Sequence, residues 1–199
     1  MLSKKGAFIC IEGIDGCGKT TQAKLLTKKL GKSHHAIYTA EPSQGKVGTY
    51  IRNYLYGEKR LSIVLEALLF AADRIEHLEN EVIPALNEGR LVISDRYVYS
   101  SLAYQGAAGL SIEWIEKVNE YALKPDLAVF IDVDLETVMS RLKDKKSVME
   151  NTETLQKVRD VYRMFVSKDE LVRIDGNRGE AEVAAALEDV VLKFLKSNR

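Results

Sequence analysis

Five short apolar runs alternate along the chain with longer stretches whose apolar positions recur every three to four residues. The runs cover residues 7–11, 36–39, 91–94, 126–132 and 171–174. Most are continuously apolar and rich in Val and Ile, which suits strands buried on both faces. Between them the helical period predicts helices. One follows residue 18 and carries Gln22, Ala23, Leu25 and Leu26; a second spans 45–56, with Val47, Ile51, Tyr54 and Leu55 in register and Gly57 as its stop. The longest spans 62–86, where Leu65, Leu68, Leu69, Ala72, Ile75, Leu78 and Val82 share a broad apolar face. Its pattern leaves that face free to meet either the core or a partner, and Pro84 is expected to bend or shorten its end. Residues 100–106, 112–123, 135–142, the stretch through Leu155, Val158, Val161, Tyr162 and Phe165, and a last one through Val183, Leu187, Val190, Val191 and Phe194 complete the set. The alternation predicts an α/β fold: a five-stranded parallel sheet flanked by helices on both faces, as one domain over residues 1–199. Right-handed crossovers would bring the ends of the first and third strands to one edge.

Between the first run and the first helix lies Gly13-Ile14-Asp15-Gly16-Cys17-Gly18-Lys19-Thr20-Thr21. Glycines at 13, 16 and 18 let the backbone wrap closely round a phosphate, so that successive N–H groups and the following helix N-terminus face an anion. Lys19 would reach the β- and γ-phosphates and the Thr20 hydroxyl would hold Mg²⁺. The spacing and its strand-to-helix setting predict binding of a nucleoside triphosphate.

Composition narrows the partners. Lysine plus arginine equal aspartate plus glutamate at 29 each, so anion recognition must be local and no basic footprint for nucleic acid is expected. Cys10 and Cys17 make no disulfide framework and have no metal-ligand neighbours, which suits a reducing cytosol. The opening residues carry no secretory apolar segment, and no apolar run approaches the roughly 20 residues of a membrane span. A soluble cytoplasmic protein is expected.

A phosphate loop in a parallel sheet fits a GTPase, an ATPase motor, a nucleotide kinase or a small-molecule kinase. No Asn-Lys-x-Asp element for guanine is present. Asp95-Arg96-Tyr97 closes a buried strand, where open α/β sheets place ligand chemistry. Arg52, Arg74 and Arg96 stand on separate elements and could surround a second anion, a task to which the guanidinium fork is suited. Phe70 and Arg74, four apart on one helix, point the same way, although an aromatic on such a helix reads first as core packing. Residues 143–151 lose periodicity and are strongly charged, which fits a solvated surface loop or a flap.

In order along the chain stand Glu12-Gly13-Ile14-Asp15-Gly16-Cys17-Gly18-Lys19-Thr20-Thr21-Gln22, Thr39-Ala40-Glu41-Pro42, Gly48-Thr49-Tyr50-Ile51-Arg52, Leu68-Leu69-Phe70-Ala71-Ala72-Asp73-Arg74, Asp95-Arg96-Tyr97 and Ser100-Ser101-Leu102-Ala103-Tyr104-Gln105-Gly106. Ile131-Asp132-Val133-Asp134 and Ile174-Asp175-Gly176 continue the series. This ordered set closely resembles the thymidylate kinase family, over nearly the whole chain. The resemblance implies a P-loop nucleotide kinase with a lid, moving the γ-phosphoryl group of ATP to dTMP with Mg²⁺, and a homodimer. It implies that Lys19 and the loop N–H groups hold the ATP phosphates, that Thr20 and Asp95 organise the metal, and that Arg96 and Arg52 hold the dTMP phosphate. Asp15 would meet the deoxyribose 3′-hydroxyl. Phe70 would stack on thymine with Arg74 at its edge, and Glu41, Pro42, Ser101, Tyr104 and Gln105 would line the pocket. Arg141 would stack on adenine beside Asn177, and residues 143–151 would be the lid. Some members carry an arginine at the place of Gly16 or within the lid, and often one before Glu-Pro. Here Ala40 stands before Glu41 and the lid has only lysines, so Lys145 or Lys146 would supply the transition-state charge.

Overall fold

The computed structural model describes residues 6–55, 61–142 and 152–197. The five runs form one parallel sheet: β1 (Ala7–Glu12), β2 (Ile37–Ala40), β3 (Leu91–Asp95), β4 (Leu127–Asp132) and β5 (Val172–Asp175), ordered β2-β3-β1-β4-β5. β1 is central, and Phe8, Ile9, Cys10 and Ile11 are wholly buried, as an unalternating apolar run requires. The register sets Ile11 against Asp95 on one side and Glu12 against Phe130 on the other. The carboxyl ends of the three central strands therefore lie level, and the chemistry collects above them.

Helices cover both faces. They are α1 (Lys19–His34), α2 (Lys46–Leu55), α3 (Ile63–His77), α4 (Ile83–Asn87), α5 (Val98–Ala107), α6 (Ile112–Val118), α7 (Leu135–Leu142), α8 (Thr152–Ser167) and α9 (Glu180–Ser197). α1 packs with α9 and α5 with α8. The Phe130 ring stacks on Tyr162 at 4.8 Å, and the edge of Tyr97 meets Phe8, which fixes α8 and the β3–α5 turn on the sheet.

Two stretches differ from their sequence reading. The helix expected over 62–86 is continuous through Asn87, but at Leu78–Val82 its ladder widens to a π-helical turn, with the Ile83 N–H bonded to Leu78 O. Pro84, which has no N–H, falls in the first turn after this step, where none is needed. The helix expected over 112–123 stops at Val118: the Asn119 amide turns back to Ile115 O at 2.8 Å and the side chain is drawn inside. The proposed lid, with Lys145 and Lys146, lies outside the described residues.

The orientation of α3 is the main surprise. Its inward side carries Glu66, Ala67, Ala71, Asp73, Arg74 and His77, while Val64, Leu65 and Leu68 are 43, 43 and 45% exposed. Most of the leucine stripe at its start thus looks outward, and charge lines the inside.

Candidate active site

The phosphate loop is built on positive backbone angles at Gly13 (φ 152°), Gly16 (φ 78°) and Gly18 (φ 97°). At Gly13 a Cβ would stand 2.7 Å from Cys17 Sγ and 2.9 Å from Ile131 O, so the loop admits no side chain there. Lys19 is buried, its Nζ donating to Ile14 O at 2.8 Å. One residue on, the Thr20 hydroxyl donates to Asp95 Oδ2 at 2.5 Å, and Tyr38 adds a longer bond to the same oxygen at 3.4 Å. Asp95 Oδ1 is buried and has no hydrogen-bond partner among the described residues. A hydroxyl and a carboxylate with a spare buried oxygen, beside a phosphate loop, fit Mg²⁺, which takes few protein ligands when phosphates complete its shell. Accordingly, no group of three or more His, Cys, Asp or Glu forms a metal cage among the described residues. Thr21 sits exposed in the first turn of α1.

A second cationic cluster adjoins the loop. Arg96 follows β3 in the left-handed region (φ 73°), its N–H bonded to Ile11 O at 3.0 Å and its carbonyl held by the Ser94 hydroxyl at 2.7 Å. That turn aims the guanidinium back over β1. It donates to Ser100 Oγ (2.9 Å), Tyr104 Oη (3.2 Å) and Gly13 O (3.3 Å), pairs with Asp15, and lies 4.9 Å from the Tyr104 ring centre. The Tyr104 oxygen also accepts from the Asp15 N–H at 3.0 Å. Burial pushes the Asp15 carboxyl up, but Arg96 and Lys19 outweigh it and hold the group below its ordinary value. Asp15, Arg96 and Tyr104 are thus one hydrogen-bonded unit, a linkage the sequence did not indicate.

Beneath α3, Arg74, Glu41 and Ser101 come together in a buried polar cluster. Arg74 and Glu41 form an ion pair at 2.7 Å, with side chains 1 and 2% exposed. Arg74 also donates to Ser101 Oγ at 3.1 Å and to Asn119. His77 closes the floor, with Nδ1 3.2 Å from Glu41 Oε1 and Nε2 2.6 Å from Thr39 Oγ1. Gln105 donates to Glu66 Oε1 at 3.1 Å. Two buried polar atoms lack partners among the described residues: the donor Arg74 Nε and the acceptor Gln105 Oε1. Phe70 is partly buried and does not join the core formed by the described residues. Arg52 donates to the carbonyls of Pro42 (2.8 Å) and Ser43 and to Gln44 and Thr49, and among the described residues no hydrogen bond joins it to Arg96.

On the far side of the loop, Arg141 reaches Gly16 O and Cys17 O at 3.4 and 3.5 Å. Asn177 locks the neighbouring turn, accepting from the Asp134 N–H at 2.9 Å and donating to Asp175 at 3.1 Å. Below it the buried Asp132 carboxylate accepts from Arg159 (2.6 Å), Arg173 (2.7 Å) and Arg163 (3.0 Å). Sequence reasoning missed Glu12, Asn119, His77 and this arginine cluster. A charged residue inside an apolar run, as Glu12 and Asp132 are at strand ends, was the available signal.

A phosphate loop with Lys19 and Thr20 at the carboxyl edge of a five-stranded parallel sheet, with Arg96 against it, fits the P-loop nucleotide kinase class. Within it, the chain belongs to the thymidylate kinase family, whose sequence model matches residues 11–187. It is similar to the probable thymidylate kinase of Pyrobaculum aerophilum, 40% identical over 192 residues that cover 96% of this chain and 98% of that one. The probable thymidylate kinase of Methanocaldococcus jannaschii is 42% identical over 190 residues, covering 96% of each. That of Staphylothermus marinus is 40% identical over 199 residues, covering 98 and 99%.

Proposed function

We propose that this kinase transfers the γ-phosphoryl group of ATP to dTMP, giving dTDP and ADP on the way to dTTP. The observation that carries the reading is the contact of the two sites: Arg96 touches both Gly13 of the phosphate loop and Asp15, while Asp95, its neighbour in sequence, holds Thr20. A phosphate held by Arg96 therefore lies beside one held by the loop. A dTMP phosphate oxygen attacks the γ-phosphorus, the bond to the β–γ bridging oxygen breaks, and ADP leaves with that electron pair. The transfer needs alignment and charge neutralisation more than covalent chemistry. Lys19 exchanges the Ile14 carbonyl for phosphate oxygens, and Arg96 offsets the acceptor's charge. Thr20 and Asp95 would hold Mg²⁺, which when bound neutralises charge on the ATP phosphates.

Thymine recognition, with Phe70 assigned to stack on the base, is supported by the unpaired donor and acceptor, Arg74 Nε and Gln105 Oε1, Arg74 being bonded to Ser101. A base that leaves such buried groups unpaired is rejected more strongly than shape alone would achieve. Arg52 shapes the Pro42–Ser43 turn and, with Arg96, borders the dTMP phosphate. Arg141 and Asn177 border the adenine. The exposed Val64, Leu65 and Leu68 on α3 support a homodimer through that face. No helix of the described residues is long and apolar enough to cross a membrane, and we place the enzyme in the cytoplasm, on free nucleotides rather than nucleic acid.

The test is steady-state ADP formation with Mg²⁺-ATP against dTMP, dUMP, UMP, CMP, AMP and GMP. Preference for dTMP is expected. Equal rates across bases would overturn thymine recognition, and no turnover would favour a nucleotide-dependent switch.

A further inference from the structure

One fully buried carboxylate takes no part in the transfer just described. Glu12, the last residue of β1, is 0% exposed, yet both of its oxygens are engaged by other elements. Oε1 accepts from the Tyr97 N–H at 2.9 Å, in the turn between β3 and α5. Oε2 accepts from the Ser100 hydroxyl at 2.7 Å and from the Tyr162 hydroxyl of α8 at 3.0 Å. Ser100 is the residue to which Arg96 donates at 2.9 Å. A chain of hydrogen bonds thus runs from Arg96 through Ser100 to Glu12.

Its direction depends on the charge at its end. While Glu12 is ionised, Ser100 donates its only proton to the carboxylate and keeps its lone pairs for the guanidinium. A protonated Glu12 must itself donate, to Ser100 or to Tyr162, and the hydroxyls turn. We propose that Glu12 is a positioning residue for the acceptor phosphate: its ionised carboxylate fixes Ser100, through Ser100 the Arg96 guanidinium, and ties both to α8. The inference rests on Arg96 holding the dTMP phosphate.

The surroundings make this charge adjustable. Burial raises the Glu12 carboxyl to about 7, against the pull of the Ser100 bond, Arg96, the Tyr162 bond and Lys19. The titratable and charged groups facing it are Lys19 from α1, Arg96 from the turn after β3, Tyr99 from α5 and Tyr162 from α8, with Cys10 on its own strand. β4 offers it only Phe130, its register partner. A carboxyl raised to about 7 changes charge near neutral pH.

The experiment is the pH profile of kcat and of the dTMP KM at saturating Mg²⁺-ATP. Wild type is expected to show a rise in KM below pH about 7, above the step near pH 6 that belongs to the substrate phosphate. Glu12→Gln is expected to raise the dTMP KM about tenfold at pH 8, with kcat changed far less, and to remove the step near 7 while keeping that near 6. Its Tm at pH 8 is expected to equal or exceed that of wild type, because the carboxylate no longer has to be buried in its ionised form. Tyr162→Phe removes a single hydroxyl and is expected to move the step upward by about one pH unit, having lost one of three bonds to the ionised form. A dTMP KM within about twofold of wild type in Glu12→Gln, or an unmoved step in Tyr162→Phe, overturns the inference. Should Glu12→Gln not fold, Tyr162→Phe alone decides. Arg96→Lys separates the readings. If it leaves the dTMP KM unchanged, the phosphate role of Arg96 fails; if it raises the KM while Glu12→Gln does not, only the positioning role fails.

Discussion

Replacing Glu41 by glutamine keeps its shape and deletes the charge that faces Arg74 on the inward side of α3. The Glu41–Arg74 pair is 2.7 Å long with side chains 2 and 1% exposed, so the discount that solvent imposes on surface pairs does not apply. In Glu41→Gln the guanidinium stays buried with the neutral partners Ser101 and Asn119, and with its Nε still unpaired. Removing one member of a buried pair costs about 3–5 kcal/mol, chiefly through the charge left behind. The glutamine oxygen still accepts from Arg74, which puts the expectation at the lower end, about 3 kcal/mol. At about 2–4 °C per kcal/mol for a chain of this size, Tm should fall by about 6–12 °C. Scanning calorimetry is the assay, at one protein concentration because association also shifts Tm. A second variant isolates the cause: in the double variant with Arg74→Met neither member of the pair leaves an unpartnered charge, and most of the loss should return. The dTMP KM of Glu41→Gln should rise in parallel, since Ser101 and Arg74 move together. A Tm within about 2 °C of wild type would refute the reasoning, for it would mean that water reaches the pair.

Asp95→Asn should lower kcat on the order of 10²–10³-fold with little change in Tm, measured by ADP release; near-normal turnover would remove Asp95 from the metal site. Gly13→Ala should abolish binding of a fluorescent ATP analogue, because the new Cβ meets Cys17 Sγ and Ile131 O at 2.7 and 2.9 Å; retained affinity would show that the loop deforms freely. Burial pushes Asp132 up, but its bonds to Arg173, Arg159 and Arg163 outweigh it and hold the carboxyl below its ordinary 3.8. A depressed native value stabilises the fold fully above 3.8 and less as pH falls through the native value, so Asp132→Asn should be less stable at pH 7 and should lose less on further acidification below 3.8. Parallel acid-unfolding curves for the two proteins would contradict this.

Strand identity was open to reading because an unalternating apolar run has few other uses in a chain of this kind. The phosphate loop was equally legible, since Gly13, Gly16 and Gly18 with Lys19 and Thr20 form a local pattern whose geometry follows from adjacent residues. What escaped was pairing at a distance. Periodicity groups Leu65 with Leu68 but does not say which way they look, and the answer here depends on Glu41 and Asn119, 33 and 45 residues from Arg74. Tyr162 fitted an apolar stripe and does pack as one, on Phe130, yet its hydroxyl reaches Glu12, 150 residues away. The end of α6 was set by the same long-range demand, because Asn119 has to meet Arg74.

The reversed polarity of α3 also has a pharmacological side. One helix carries Arg74 on its buried side and Val64, Leu65 and Leu68 on its outer surface. A displacement of the outer surface would carry Arg74 with it, because close-packed helices shift as bodies. A compact apolar compound that competed with the partner subunit we propose for the outer leucines would act through this helix without resembling a nucleotide, and without meeting the cellular pool of ATP as a competitor.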